Sequence, residues 1–441
     1  MKRILGDEYD AFLQALEESR TSALRLNPLK ADETILPSLS QYHLEKIPHI
    51  PYGYHYTGAG IGNTPAHHAG AIYVQDAGAM CAVEALSLFS GARVLDVCAS
   101  PGGKSTQAAA KIGREGLLIA NEYVPQRAKI LVENFERLGL CSAMVLNLDT
   151  KELGSLYDAY FDAVICDAPC SGEGMFRKTD EALNHWSEEN IQMCAKRQIE
   201  ILDNIHSTVR AGGQLLYSTC TYAPEENEEV VREFLSRHPD FVLIPLPESL
   251  VAVTAPALAT EGVENIDYAR RFYPHRNAGE GQFMALFRRE NIDVSPTILY
   301  KDASKPLSKE NERIFSAFLR DTLTDPKTVH ARELCGRLIH IEHELPIPSK
   351  KVFMGGVLLG EIRGSNFFPS HQFFSAFGRQ FKRQVTLTEG DSRVGAYLHG
   401  EEIDADVENG WCAVLFEGAV LGGGKACAGR VKNHYPKGLR K

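Results

Sequence analysis

The sequence predicts an α/β protein built on a parallel, doubly wound sheet, and three observations carry the prediction. Short apolar runs alternate with helical patterns from about residue 90 onward. Several of those runs end in turns rich in Gly, Pro, Cys and Asp, where an open sheet of this kind collects its ligands. No run of about 18 apolar residues offers a membrane span.

Val94-Leu95-Asp96-Val97 reads as the first buried strand, followed by Pro101-Gly102-Gly103 and an Ala-rich helical segment over 104–112. Residues 117–120, 143–146, 161–166 and 214–217 continue the strand series, with helical patterns at 125–138 and 187–209 between them. Residues 283–287 read as a closing strand. Upstream, Phe12, Leu13, Leu16 and Leu24 recur at helical spacing within 8–24, and 51–70, rich in Gly, Tyr, Pro and His, reads as loop. Five regions result: an N-terminal extension (1–70), the sheet domain (71–290), a linker (291–310), a small α+β domain (311–380) and a β-rich module (381–441). Val352-Phe353-Met354 is placed in the α+β domain, and Trp186 and Trp411 are assigned to cores, with base stacking open to either.

A chain of 441 residues is too long for one ordinary core. Its 44% hydrophobic and 24% charged residues are those of a globular protein, and the N-terminus lacks a signal-peptide core, so a cytoplasmic location is expected. Ten cysteines occur without a CxxC pair or a His/Cys cluster at zinc spacing, so neither a disulfide framework nor a metal is expected. His67-His68 is read as a loop pair. Net charge −10 argues against a nucleic-acid partner only in sum, because phosphate binding depends on local patches. Residues 425–441 hold Lys425, Arg430, Lys432, Lys437, Arg440 and Lys441 and no acid, either a solvated tail or an anchor on RNA phosphates.

Three turns carry candidate chemistry. Asp96-Val97-Cys98-Ala99-Ser100-Pro101-Gly102-Gly103-Lys104 joins the first strand to a helix, and its glycines let backbone approach a ligand. It is no P-loop, because Cys98 stands where the first glycine is required. Glu122, about 20 residues past the Gly turn, suits a ribose diol. Asp167-Ala168-Pro169-Cys170-Ser171-Gly172-Glu173-Gly174 follows the fourth strand. Tyr217-Ser218-Thr219-Cys220-Thr221-Tyr222 follows the fifth, and the acids after Pro224 read as residues of a helix start. A helix N-terminus there favours a thiolate at Cys220.

In this order the three turns resemble motifs of the Nol/Nop/Sun family of RNA cytosine-5 methyltransferases, approximately DxCAAPGGK, DAPCSGxG and STCT followed by ENE. Ser100 replaces a small Ala. Arg25-Leu26-Asn27, Tyr73-Val74-Gln75-Asp76, and Arg271 to His275 with Gly279-Glu280-Gly281-Gln282-Phe283 resemble further family elements, Gln282 standing for a usual Phe. Residues 431–440 resemble the ending of the bacterial RsmF-type subgroup, which acts on 16S ribosomal RNA and carries a PUA-like RNA-binding module there.

The resemblance implies a Rossmann-like class I methyltransferase domain with an N-terminal RNA-binding extension and a small α+β and PUA-like C-terminal region. It implies S-adenosylmethionine held by Cys98, Ala99, Ser100, Pro101, Gly102, Gly103 and Lys104, with Glu122 on the ribose, Asp149 beside the adenine and Asp167 facing the methionine end. It implies Cys220 as the nucleophile that adds to carbon 6 of cytosine, Asp167 and Lys104 acting on the base, and Cys170 assisting release. The expected partner is 16S rRNA in the 30S subunit, the expected state a monomer. A transfer-RNA methyltransferase and a ribosome-assembly factor with incidental methylation stay open as alternatives.

Overall fold

The structure, a computed structural model, describes residues 1–177, 186–290, 293–342 and 346–440. Its centre is a mixed ten-stranded sheet. Six strands define it: β1 (Arg93–Asp96), β2 (Leu117–Asn121), β3 (Ala143–Leu146), β4 (Phe161–Asp167), β5 (Val209–Thr219) and β6 (Gln282–Arg289). They lie side by side in the order 3-2-1-4-5-6, with the first five parallel and β6 antiparallel to β5. This is the Rossmann-like order, and it reverses between β1 and β4.

Alternate residues of each strand feed two cores. Val94, Ile165 and Leu216 point to one face, while Leu95, Val164, Cys166, Leu215 and Tyr217 point to the other. A sheet buried on both faces needs apolar residues at every register position, which is why these strands read as continuous apolar runs. Helices α1 (Gly103–Ile112), α2 (Pro125–Leu138), α3 (Glu188–Ile205) and α4 (Glu228–Arg237) are the main connections of the domain. The strand Val352–Gly355 pairs with β3 and completes the sheet's edge, so a segment expected in a separate α+β region belongs to the central sheet.

The N-terminal region departs from the sequence reading. The helix ends at Glu17, and Ser22–Leu26 is a strand that pairs Leu24 with Tyr54 of Gly53–Tyr56 and with Val74 of Ile72–Val74. Leu24, Leu26, Tyr54 and Ile72 share one core, and this burial overrides the helical spacing of Leu24 and the loop-like composition around Tyr54. In the segment 293–308, Thr297–Ile298 pairs with Tyr157–Asp158. Residues 291 and 292 lie outside the described residues.

Beyond the helix Lys309–Thr322, a four-stranded sheet and a terminal five-stranded sheet follow. The basic segment near the C-terminus is not a free tail. Lys425 and Lys432 face each other across the paired strands Ala419–Cys427 and Arg430–Asn433, and Tyr435 is buried with its hydroxyl 2.8 Å from His68 Nδ1. Lys441 lies outside the described residues. Among the described residues no helix is long and apolar enough to cross a membrane, and no group of His, Cys, Asp and Glu is arranged to hold a metal.

Candidate active site

The site is assembled at the C-terminal ends of β1 to β5. After β1, the turn from Cys98 to Gly103 is fixed by its neighbours: Ala99 N–H donates to Asn121 O (2.9 Å), and Ser100 O and Pro101 O accept from Arg127 (2.9 Å) and Asn134 (2.9 Å). Gly102 has φ 112°, in the region where a side chain is strained, and a Cβ there would press on Leu131. Arg25 and Gln75 brace the turn from behind. The Arg25 guanidinium donates to Gln75 Oε1 (2.8 Å), to Gly103 O (3.1 Å) and to Thr106 Oγ1. Asn27 donates to Gly70 O (2.9 Å) and Leu138 O (3.2 Å).

Four carboxylates stand at the ends of four neighbouring strands: Asp96 on β1, Glu122 after β2, Asp149 after β3 and Asp167 on β4. Asp96 is buried and accepts from Ser105 Oγ (2.5 Å). Burial pushes its carboxyl up to about 7, and its Oδ1 has no partner among the described residues. Glu122 accepts from Val124 N–H (2.9 Å) and faces Arg127 at 3.6 Å. Asp149 caps the helix Thr150–Gly154 by accepting Glu152 N–H (2.8 Å). At the crevice of an open sheet, a Gly turn beside carboxylates at adjacent strand ends suits a ligand with a diol.

The reactive groups converge beside this cleft. Lys104 Nζ lies 2.9 Å from Asp167 Oδ2, and Asp167 Oδ1 accepts from Ser218 Oγ (2.7 Å) and Gln282 Nε2 (3.4 Å). Burial opposes the charge on Lys104, but the Asp167 carboxylate outweighs it and holds the ammonium above its usual value. Cys170 and Cys220 sit with their sulfurs 3.3 Å apart. The Cys170 S–H donates to Cys220, which lowers Cys220 below the ordinary thiol value against burial, with Lys104 assisting. That same hydrogen bond, together with burial, raises Cys170 well above it.

The structure thus brings Lys104, Asp167, Cys170 and Cys220 together, and sets Cys98 to Gly103, Glu122 and Asp149 along the adjoining strand ends. The acids after Pro224 do stand at a helix start, in the turn Pro224–Glu226 and the first turn of α4, and some of them do more. Glu225 is exposed, but Glu226, Asn227 and Glu228 are buried and hold the site's loops. Asn227 accepts from Thr219 Oγ1 (2.6 Å) and donates to Thr221 O (3.0 Å), on either side of Cys220. Glu228 pairs with buried Arg271, which also donates to Tyr222 O (2.9 Å). Gly174 lies so close to Cys220 O that a Cβ would stand 2.8 Å from it.

Glu173, not singled out in the sequence, accepts from Tyr222 N–H (3.0 Å) and from the indole of Trp186 (2.9 Å). Trp186 is exposed rather than packed in a core, whereas Trp411 is buried. Cys335 and Cys427 are also exposed. The N-terminal helix reaches the site as well, with the Phe12 ring 5.2 Å from the Tyr222 ring, edge to face.

Comparison with known proteins gives three family matches along the chain. Residues 83–288 match the model of 16S rRNA methyltransferase RsmB/F, residues 1–77 the N-terminal domain of 16S rRNA methyltransferase RsmF, and residues 385–441 the RsmF PUA domain. A ribosomal RNA small subunit methyltransferase F from Klebsiella pneumoniae is 31% identical, covering 98% of this chain and 92% of its own. One from Vibrio campbellii is 31% identical over 86% of this chain and 81% of its own. Among solved structures, a methyltransferase homologue protein from Pyrococcus horikoshii is 28% identical with TM-score 0.56, covering 64% of this chain and 91% of its own. NSun6 from the same organism, 20% identical with TM-score 0.57, shares the fold over 66% of this chain and 97% of its own.

Proposed function

Because the chain belongs to the ribosomal RNA small subunit methyltransferase F family, we propose that it methylates carbon 5 of a cytosine in 16S rRNA from S-adenosylmethionine. The observation that carries this reading is the 3.3 Å sulfur pair of Cys170 and Cys220 beside the Lys104–Asp167 ion pair. Carbon 5 of cytosine is a poor nucleophile until a thiolate adds at carbon 6. A thiolate stabilised by a neighbouring S–H and a nearby ammonium is suited to that addition.

S-adenosylmethionine supplies an electrophilic methyl group on a sulfonium, and the Gly turn with its neighbouring carboxylates fits the cofactor's diol. Cys98 to Lys104 would hold it from the turn, Glu122 at the ribose, Asp149 near the adenine and Asp167 at the methionine end. As Cys220 Sγ bonds to carbon 6, the carbon 5–carbon 6 pair of electrons moves into the ring toward nitrogen 3. Lys104 offers a proton donor for that density, and Asp167 accepts from the exocyclic amino group. Carbon 5 is then nucleophilic enough to take the methyl group. Lys104 then takes back the proton given to nitrogen 3, a water takes the carbon 5 proton as the carbon 5–carbon 6 double bond re-forms, and the Cys220–carbon 6 bond breaks with sulfur departing as thiolate. Cys170 S–H, already directed at that sulfur, stabilises the departing charge.

The cytosine must leave its stack to reach the thiols. Trp186, exposed and tied to Glu173 beside the Cys220 turn, is a stacking surface for the RNA. The C-terminal module, with Lys425 and Lys432 on its surface, supplies contacts to phosphate. The proposed working state is a monomer in the cytoplasm.

The test is transfer of labelled methyl from S-adenosylmethionine to 30S subunits, naked 16S rRNA and tRNA from cells lacking the gene. Label in the ribosomal substrates alone is the expected result. Label in tRNA alone would overturn the substrate, and no label in any would overturn the activity.

A further inference from the structure

Two adjacent buried residues hold the two cysteine turns separately. Glu226 Oε2 accepts the N–H of Ser171 (3.0 Å) and the side-chain amide of Gln198 (2.8 Å). The same Gln198 amide donates to Pro169 O (3.0 Å), so Cys170 is bracketed at the residue before it and the residue after it. Asn227 brackets Cys220 in the same way through Thr219 Oγ1 and Thr221 O. The Tyr217 hydroxyl, at the end of β5, donates to Glu226 O (2.5 Å) and lies 3.0 Å from Gln198 Oε1.

Neither Glu226 nor Asn227 hydrogen-bonds to Cys170, Cys220, Lys104 or Asp167 among the described residues. Both are 0% exposed, and a buried carboxylate is unfavourable unless its acceptors are used. Glu226 uses one oxygen twice, for Ser171 N–H on the Cys170 turn and for Gln198 on α3, and its Oε1 has no partner among the described residues. An acid kept in this place on these terms is explained by what it holds.

We propose that Glu226 and Asn227 are positioning residues, one for each cysteine, and that the peptide bond joining them sets the spacing of the two sulfurs. The inference rests on the assignment of Cys220 to addition and Cys170 to release. Glu226 then governs the step that uses Cys170, and Asn227 the step that uses Cys220. Two neighbouring residues therefore give opposite chemical phenotypes, which a shared role in folding would not.

The test compares wild type with Cys170→Ala, Glu226→Ala, Glu226→Gln and Asn227→Ala on 16S rRNA substrate, reading turnover and covalent protein–RNA adduct on denaturing gels. Glu226→Ala is expected to lose turnover roughly 100-fold, as a small misplacement of a reacting group does. It is also expected to accumulate adduct as Cys170→Ala does. Glu226→Gln, which keeps an acceptor for Ser171 N–H, recovers most of the turnover and releases the adduct. Asn227→Ala forms little adduct. Parallel losses of adduct and turnover in Glu226→Ala and Asn227→Ala would overturn the proposal. If Glu226→Ala does not fold, Gln198→Leu, which frees Pro169 O, takes its place with the same expectations.

A second reading needs no RNA. The pH midpoint for alkylation of Cys220 rises in Gln198→Leu, which frees Pro169 O and keeps the Glu226 charge in place, as the Cys170 S–H swings away. An unchanged midpoint in Gln198→Leu counts against the clamp whatever the RNA assay gives, while an adduct-free Cys170→Ala with a raised midpoint in Gln198→Leu removes the thiol roles and leaves the clamp.

Discussion

Cys170 and Cys220 are fifty residues apart in sequence and 3.3 Å apart at their sulfurs, each at the end of one of two adjacent parallel strands. The pair is asymmetric, with Cys220 lowered by the S–H of Cys170 and Cys170 raised in return. A consequence is that the lower-pH limb of methyl transfer belongs to Cys220. Removing the donor in Cys170→Ala raises Cys220, so the thiolate fraction near neutral pH falls and the limb moves to higher pH. The pH dependence of Cys220 alkylation, followed by mass spectrometry, checks this directly. A Cys170→Ala midpoint at or below that of wild type would contradict it.

Lys104 is ion-paired with Asp167 at 2.9 Å and is the cation that lowers Cys220. Lys104→Met leaves the Asp167 carboxylate facing Cys220 with no counter-charge and removes the proton donor for the base. Methyl transfer is expected to fall by roughly 100-fold or more, in the range lost with a general acid. Single-turnover rates at saturating RNA separate this from weaker binding.

Arg271 and Glu228 form an ion pair with side chains only 2% and 1% exposed, and Arg271 also holds Tyr222 O beside the nucleophile turn. Arg271→Met strands a buried carboxylate, a change that costs about 3–5 kcal/mol. The denaturant midpoint should drop accordingly. The double variant Arg271→Met/Glu228→Leu should recover a large part of the loss, since well-packed apolar replacements of buried pairs are often neutral.

Lys30 joins three regions of the chain. Its ammonium donates to Ser375 Oγ (2.9 Å), Arg137 O (3.2 Å) and Val420 O (3.2 Å) from a position 4% exposed. Lys30→Met is expected to speed hydrogen exchange in His371–Phe377 and Ala419–Cys427 and to leave β4 unchanged, because local opening follows lost local contacts. Faster exchange spread evenly over the chain would mean that Lys30 supports global stability instead.

The central sheet was legible in the sequence because a doubly covered strand needs apolar residues throughout, and Val94-Leu95 or Val164-Ile165-Cys166 satisfy that locally. The three turns were legible for a similar reason, since Gly102-Gly103, Cys170 and Cys220 follow their strands directly. The buried acids were not. A glutamate after Pro224 has the composition of a helix start whether it faces water or, like Glu226 and Glu228, faces Ser171 and Arg271 across the fold. The strand Ser22–Leu26 was missed, and the strand-like run at Val352 was assigned to the wrong region, because their pairing with Tyr54 or with Leu146 is a tertiary relation that no local period records. Trp186 was misread because a tryptophan's burial depends on what packs above it.

The most direct test of the central claim is nucleoside mass spectrometry of 16S rRNA after incubation with S-adenosylmethionine and either wild type or Cys220→Ala, using RNA from cells lacking the gene. The account predicts 5-methylcytidine with wild type and none with Cys220→Ala. A methyl group on another atom or base, or 5-methylcytidine made equally well by Cys220→Ala, would contradict it.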